Sequence, residues 1–299
     1  MIPFRRPTLE DRAVLHPLFF RSPYQGCEYS FTNIYLWGTQ QFAIIEDEIV
    51  LFSQWGSRSM YVYPSANKLD IILPLLREDA AQRGIPFRLS SVPEAMSAEI
   101  ERLFPREYGF SLYRNGFDYL YEIDRLTELR GKKLQQKRNH INRFEQQISN
   151  WYTRPITEEN IGECRQMVSQ WYEEHAEMDI DYSLEKVAIG RTFDGFFSLG
   201  MEGLALYADG ALVAMTMGNR LREDIFDVNF EKAYTSIPGT YPLINREFAR
   251  YLHEKYPAIR YLNREDDMGL PGLRKSKLSY HPDLLLEKYI GFLHAEETA

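Results

Sequence analysis

The order of apolar and polar positions divides the chain into alternating helical and extended stretches. Thr8 stands at a capping position before Leu9-Glu10-Asp11 and a run of helix formers, which predicts a helix over 8–20. Runs rich in β-branched and aromatic residues at 31–37, 42–45, 48–52 and 59–63 predict strands, with Glu46-Asp47 as a turn. Apolar residues at 69, 72, 73 and 76, closed by Gly84, predict a helix over 68–83. A strand at 87–89, a helix at 94–103 and a strand at 117–123 complete a first lobe. The stretch 129–149 is helical, with Leu134, Ile141, Phe144 and Ile148 in one narrow stripe.

Beyond it the element order repeats. Helices are expected at 157–172 and 183–197, then a hairpin of 203–207 and 211–218 around the type I′ turn pair Asp209-Gly210. A strand follows at 224–233. The helix at 240–254 has Thr240 as N-cap, Pro242 in its first turn and Ile244, Phe248, Tyr251 and Leu252 on one face. Strands at 259–263 and 285–292 close the list. Strands first, then helices alternating with strands, predict an α/β protein of mixed sheets with helices on their faces. The expected organisation is a lobe over 1–125, a connecting helix over 126–152 and a second lobe over 153–299.

Composition narrows the picture. A chain of 299 residues exceeds what one core usually supports, so two lobes are expected. With 44% hydrophobic and 26% charged residues it is globular rather than disordered. No stretch approaches the run of about 20 apolar residues that spans a bilayer. The start, with Arg5 and Arg6 but no apolar run behind them, lacks a signal-peptide core, and cytoplasm is the expected location. Cys27 and Cys164 lie far apart and the histidines are scattered, so neither a disulfide framework nor a metal site is indicated. A formal charge of −8 argues against a protein that coats itself with nucleic acid, but leaves room for a local basic groove.

Three segments can carry chemistry. Between 130 and 144 there are basic residues at 130, 132, 133, 137, 138 and 143 and no acid. A solvated face explains most such runs. Here, however, Lys137 falls inside the apolar stripe, with Arg138 and Asn142 at its flank. An inward lysine must meet a carboxylate or line a polar cleft, and an ion pair is the favoured reading over phosphate contact. In the second segment, strand alternation puts Asp227, Asn229 and Glu231 on one side and Val228, Phe230 and Lys232 on the other. That acidic row leads through Gly239 to the N-terminus of the Thr240 helix, where backbone N–H groups can meet an anion; a satisfied polar edge is the equal alternative. The third segment runs from Asn263 through Glu265, Asp267, a Gly/Pro turn, Arg274 and Lys277 directly after a strand, where open α/β sheets place ligands. Its acids and bases either cross-pair at the surface or do chemistry. In the second case Glu265 or Asp267 deprotonates an amine or hydroxyl, and Arg274 or Lys277 holds a phosphate or a developing oxyanion.

Three stretches taken together, 137–144, 231–241 and 263–277, resemble a family of bacterial proteins related to the C-terminal domain of phosphatidylglycerol lysyltransferases. Tyr29-Ser30-Phe31-Thr32-Asn33-Ile34-Tyr35-Leu36-Trp37 fits the same family, so the resemblance covers nearly the whole chain. It implies two tandem GNAT-like lobes, as in Fem-type aminoacyltransferases, with the first degenerate and the site in the second. It implies transfer of an aminoacyl group from aminoacyl-tRNA to a lipid head group or a peptide amine. The site residues implied are Glu265, Asp267 and Lys277 for catalysis. Lys137, Arg138, Asn229, Glu231, Gly239, Thr240, Tyr241, Asn263 and Arg274 are implied for substrate binding.

The pattern departs from the family's at the pyrophosphate loop. Only Gly239 remains after the 224–233 strand, and Ser65-Ala66-Asn67 in the first lobe has no glycine. Charged tRNA, contacted at its acceptor end by the basic helix, is therefore expected as donor in preference to acyl-CoA, and no bound cofactor is indicated. An acyl-CoA-dependent N-acyltransferase and a non-catalytic binding protein on the same fold are the alternatives.

Overall fold

A computed structural model describes residues 1–55, 58–65, 67–175 and 182–294. Ala66, in the first-lobe loop read from the sequence, lies outside the described residues. The chain forms α1 (Arg12–Phe20), α2 (Phe31–Trp37), β1 (Gln40–Ile45), β2 (Glu48–Trp55), β3 (Arg58–Val62), α3 (Leu69–Arg83), β4 (Arg88–Val92), α4 (Glu94–Leu103) and β5 (Tyr108–Leu112). It continues with β6 (Asp118–Glu122), α5 (Ile123–Glu128), α6 (Gln135–Gln147), β7 (Trp151–Pro155), α7 (Ile161–Glu174), α8 (Ser183–Gly195), β8 (Glu202–Ala208) and β9 (Ala211–Arg220). The last elements are β10 (Ile225–Ala233), α9 (Thr240–Lys255), β11 (Tyr261–Asn263), α10 (Pro271–Leu278), β12 (Leu284–Leu286) and β13 (Tyr289–Leu293).

Two compact units result, and each is interleaved in sequence. The first holds Met1–Asp118, Asp266–Pro271 and Leu285–Ala299; the second holds Tyr119–Glu265 and Gly272–Leu284. The first sheet has the order β1-β2-β3-β4-β13-β5 and the second β12-β6-β11-β10-β9-β8-β7. In each, an antiparallel meander ends in a crossover helix that returns to a parallel neighbour: β3-α3-β4 in one, β10-α9-β11 in the other. These are the mixed sheets of the α/β class expected from the sequence. Next to each crossover strand lies a strand from elsewhere in the chain. β13 pairs antiparallel with β4 and β5, and β6 pairs antiparallel with β11.

The expected boundaries at 125 and 153 differ from this division because hydrogen-bond partners, not sequence proximity, assign the strands. The 117–123 strand was expected to complete the first lobe. Instead Leu120, Tyr121 and Glu122 register with Asn263, Leu262 and Tyr261 of β11. The last strand of the expected second lobe splits into β12 and β13, and β13 lies between β4 and the edge strand β5 of the first sheet.

Each unit has its own core. In the first, Ile72, Leu73 and Leu76 of α3 pack with Tyr61, Phe87 and Leu89. In the second, Leu243, Ile244, Phe248 and Leu252 of α9 pack with Phe226, Tyr121 and Leu262, and with Leu134, Ile141 and Phe144. The apolar stripe read from the 129–149 segment is therefore the face of α6 that is buried, although its first turn is a 3-10 turn and Leu129 instead ends α5 in a left-handed conformation.

Other local expectations give way to packing. Residues 31–37 are helical rather than extended: Phe31, Thr32, Asn33, Ile34 and Leu36 are all buried, and Gly38 at φ 63° caps the helix. A short helix buried on every side shows no period, so β-propensity misleads. Pro271-Gly272 is the first turn of α10 rather than a reverse turn, since proline at a helix start lacks only an N–H that has no partner there. Gly239, not Thr240, is the N-cap of α9; the Thr240 hydroxyl donates to the Ile237 carbonyl at 2.7 Å. The Asp209-Gly210 hairpin turn has both residues at positive φ, 50° and 83°, as the type I′ reading requires.

Candidate functional site

The acidic row on β10 is divided by a bulge. Val228 pairs with Gly218, but Phe230 pairs with the next β9 residue, Met217, so Asn229 is the extra residue. Side chains beyond it change face. Asp227 thus remains on one face of the second sheet, and Glu231 joins Phe226 and Val228 on the face covered by α9. The single row of Asp227, Asn229 and Glu231 read from strand alternation does not form, because a bulge breaks the period of two. Gly218 opposite the bulge has to be glycine: a Cβ there would stand 2.0 Å from the Asp227 carbonyl oxygen.

On the face away from α9, Asn219, Asp227 and Asn263 lie in register across β9, β10 and β11, all buried. Asn229 Nδ2 donates to Asp227 Oδ2 at 3.3 Å and to Glu265 Oε1 at 3.1 Å. Asn263 Oδ1 accepts the Glu265 backbone N–H at 2.7 Å, which holds Glu265 at φ 56°. Such a short polar side chain stabilises a left-handed neighbour that a strand end otherwise disfavours.

On the α9 face a second polar group is set into the apolar core. Arg264 directly follows β11, and its guanidinium lies against the rings of Tyr280 and Tyr121, 5.1 and 6.0 Å from their centroids. Its Nη2 donates to Glu231 Oε1 at 3.0 Å, and Asn245 Nδ2 of α9 donates to the other oxygen of that carboxylate at 3.3 Å. Among the described residues, the buried atoms Arg264 Nη1, Asn245 Oδ1 and Thr216 Oγ1 have no hydrogen-bond partner. Thr216 is the β9 register partner of Glu231, so all three belong to one polar cluster. Buried polar groups are rarely left unpaired, so three around one carboxylate are unusual.

Lys137 shares the Tyr280 ring with Arg264. Its Nζ sits 3.9 Å over the Tyr280 ring and donates to Ser279 Oγ at 2.7 Å. The partner is a hydroxyl and a ring, where the sequence reading favoured a carboxylate. Burial, reinforced by the Arg264 charge and opposed by Glu231, lowers the amine to about 8. Burial also pushes the Tyr280 and Tyr121 phenols well above their ordinary value, with Arg264 pulling the other way, so both stay neutral.

Several residues expected to act on substrate have other engagements. Lys277 is buried, and its Nζ donates to the carbonyls of Arg264 at 2.5 Å and Glu265 at 3.2 Å, holding the loop that carries the guanidinium. Tyr121 donates to the Lys277 carbonyl at 2.8 Å. Arg138 turns back to the carbonyls of Leu129 and Gly131. Arg274 is half-buried on α10. Gly239 at φ 96° lies against α6, where a Cβ would meet the His140 carbonyl oxygen at 2.2 Å. Thr240 is buried beside it, and Tyr241 is pushed up to about 12, chiefly by burial.

Asp267 belongs to the first unit. It is wholly buried, accepts the Gly269 N–H at 2.9 Å and pairs with Arg114 at 3.2 Å. Of the basic run, Lys132, Lys133 and Arg143 are exposed, while Arg130 pairs with Glu128.

Sequence reasoning passed over Arg264, Asn245 and Thr216 as site residues. One signal was present: Asn245 stands on the apolar face of α9 between Ile244 and Phe248, where a polar side chain needs a partner.

The first unit has a polar cluster of its own. Lys288 Nζ lies 2.6 Å from Glu28 Oε1, 2.6 Å from Asp118 Oδ1 and 3.9 Å from Cys27 Sγ. Asp118 Oδ2 accepts the Cys27 N–H at 2.8 Å. The ligating atoms of Cys27, Glu28 and Asp118 lie within 4.8 Å of one another, the spacing of a metal site, but the ammonium already supplies the cation. Burial alone would lower this amine; Asp118, then Cys27, Glu28 and Asp266, outweigh it and hold Lys288 well above the ordinary lysine value.

Comparison with known proteins places the chain. The family model described as phosphatidylglycerol lysyltransferase, C-terminal, matches residues 19–292. A solved protein of unknown function from Bacteroides thetaiotaomicron is 37% identical, with a TM-score of 0.91 over 98% of this chain and 100% of that one. The C-terminal domain of a putative lysylphosphatidylglycerol synthetase from Agrobacterium fabrum has the same fold at 14% identity, with a TM-score of 0.70 over 95% of this chain and 91% of that one. An uncharacterised protein of Mycoplasmoides gallisepticum is 27% identical over 186 residues, 60% of this chain; the match spans 57% of that relative's length. Among the described residues, no helix is long and apolar enough to cross a membrane.

Proposed function

The chain belongs to the phosphatidylglycerol lysyltransferase C-terminal family, and from that membership and the polar cluster on the α9 face we propose that it transfers an aminoacyl group from charged tRNA to an amine or hydroxyl acceptor. The observation that carries the reading is the trio of buried, unpartnered atoms around Glu231. Asn245 Oδ1, Thr216 Oγ1 and the Glu231 carboxylate are acceptors suited to the ammonium of an aminoacyl group. Arg264 Nη1 offers an N–H to the ester's carbonyl oxygen as it gains charge in the tetrahedral intermediate. Lys137, with its amine near 8, takes the proton that the attacking acceptor loses. Lys277 is a positioning residue, since it acts through the Arg264 backbone. Glu265, half-exposed on the opposite face, is the alternative base.

Acyl-CoA is the less favoured donor for a physical reason. Its pyrophosphate needs open backbone at the start of α9, and there Gly239 lies against the α6 carbonyl of His140. The exposed Lys132, Lys133 and Arg143 are left to meet the tRNA backbone, and charged tRNA puts the reaction in the cytoplasm.

The test offers tRNA charged with a radiolabelled amino acid to the full chain together with amine and lipid acceptors. Label should move to an acceptor, and Arg264→Ala should lower the rate on the order of 10²–10³-fold, the range for loss of one oxyanion donor. Charged tRNA that neither binds nor is consumed removes the proposal. Binding of acyl-CoA with a matching loss of free thioester would put the N-acyltransferase in its place.

A further inference from the structure

Proteins protect the edges of their sheets, because an open edge offers its backbone groups to any other strand. Among the described residues, three of the four sheet edges are protected. Arg5 covers β1, bonding to both backbone groups of Phe42 at 3.1 and 2.8 Å. β12 is only three residues long. β7 carries Arg154 and ends in Pro155, whose carbonyl accepts from Asn160 Nδ2 at 3.0 Å. β5, at the end of the first sheet, has none of these devices. Its residues, Tyr108-Gly109-Phe110-Ser111-Leu112, include no charge and no proline.

The ladder to β13 fixes which groups of β5 are open. The Tyr113 N–H donates to the Lys288 carbonyl at 2.8 Å, and the His294 N–H to the Glu107 carbonyl at 3.1 Å. Bonded pairs alternate along antiparallel strands, so Gly109 and Ser111 face β13 as Glu107 and Tyr113 do. Tyr108, Phe110 and Leu112 turn their N–H and C=O groups outward, and among the described residues nothing bonds to them there. Beside these groups Leu112 is 52% exposed, Tyr113 46% exposed and Phe110 half-buried.

Three open residues centred on Phe110 are complementary to themselves. A two-fold axis through Phe110 sets that residue against its own copy and Tyr108 against Leu112 of the copy, so every open N–H and C=O finds a partner. Charge agrees with this direction. Exposed Arg106 precedes the strand, and exposed Glu287 stands near its other end, where β13 pairs Tyr289 with Leu112. An antiparallel copy brings each basic end to an acidic one. Glu107 and Arg114 at the same ends are already matched by Arg77 and Asp267.

We propose that β5 is a homodimer interface, at which two copies of this chain join their first sheets into one antiparallel sheet across Phe110. Arg5 closes β1, the other edge of that sheet, so growth stops at two copies. Two five-residue edges, each about 17 Å long, bury less than the roughly 1,200–2,000 Å² of a stable interface. The dimer is therefore transient and concentration-dependent. Its surface lies in the first unit and does not rest on the transfer reaction.

Sedimentation equilibrium of the full chain from about 1 μM to about 1 mM should show monomer and dimer in exchange. Hydrogen exchange over the same range, read residue by residue by NMR, should follow the alternation of the ladder. The Gly109 and Ser111 N–H groups should be protected at every concentration. Those of Phe110 and Leu112 should exchange quickly in dilute solution and at least about tenfold more slowly once dimer dominates. Leu112→Lys places a charge at an exposed edge position and should raise the dimer dissociation constant on the order of tenfold, with the monomer's thermal melt unchanged. A chain still monomeric at about 1 mM overturns the proposal. So does a dimer that leaves Phe110 and Leu112 exchange unslowed, or one indifferent to Leu112→Lys.

Discussion

Replacing Lys288 by methionine removes the cation from a cluster of acids in the first unit while keeping the length and apolar stem of the side chain. Two hydrogen bonds of 2.6 Å are lost, to Glu28 and to the wholly buried Asp118. What remains is buried carboxylate charge without its counter-ion, and removing one partner of such a pair costs about 3–5 kcal/mol. At roughly 2–4 °C per kcal/mol, the melting temperature should fall on the order of 10 °C. The Lys288 amine is held above its ordinary value, so its contribution is fully present below the unfolded lysine pKa and is lost only as pH rises through the folded one. The deficit should therefore be constant from neutral pH to about 10.

Thermal melts of Lys288→Met, Asp118→Asn and the double variant measure the coupling. The double variant should recover much of the loss, because the uncompensated charge goes with Asp118. Lys288→Ala should gain stability from added zinc, since Cys27, Glu28 and Asp118 then present three ligands around the vacated position. A cost below about 1 kcal/mol, or no relief from Asp118→Asn, would refute the electrostatic account.

Further outcomes follow from the same reasoning. Gly239→Ala should destabilise the second unit by about 2–4 kcal/mol in chemical denaturation, since the residue combines a φ of 96° with a Cβ position 2.2 Å from the His140 carbonyl oxygen. Asp11 is held at about 2, first by its hydrogen bonds from Arg5, so this pair supports the fold above the ordinary carboxylate range and is lost as pH falls through about 2. Arg5→Ala should move the Asp11 carboxyl titration, read by NMR, back toward 3.8. Deleting the chain from residue 285 removes β13 from between β4 and β5. Hydrogen exchange should then lose protection across the first sheet, and a protected first sheet would contradict the pairing.

The second sheet carries a polar cluster on each of its faces. On one, Asp227, Asn219 and Asn263 form a buried belt across three strands; on the other, Glu231 is shared by Arg264 and Asn245. The bulge at Asn229 separates them. Regular pairing that kept Asn229 in the ladder would put Glu231 on the Asp227 face and take the carboxylate away from Arg264.

The sequence by itself determined what depends on local pattern. The α6 stripe of Leu134, Ile141 and Phe144, the inward turn of Lys137, the hairpin at Asp209-Gly210 and the α4 and α9 helices were legible because period and turn chemistry are properties of neighbouring residues. The fold class was legible too, from the order of elements. Tertiary structure decided the rest. Whether residues 118–122 and 289–293 complete their own lobe or the other unit's sheet depends on partners more than a hundred residues away, and pattern carries no information about partners. The bulge at Asn229 is set by register against Gly218 and Met217. Arg264 became the centre of the site only when β6, β10, α9 and the segment after α10 brought Tyr121, Glu231, Asn245 and Tyr280 around it. The charges of 263–277 were visible as a run. Long-range packing chose which of them hold the backbone and which join the polar cluster around Glu231.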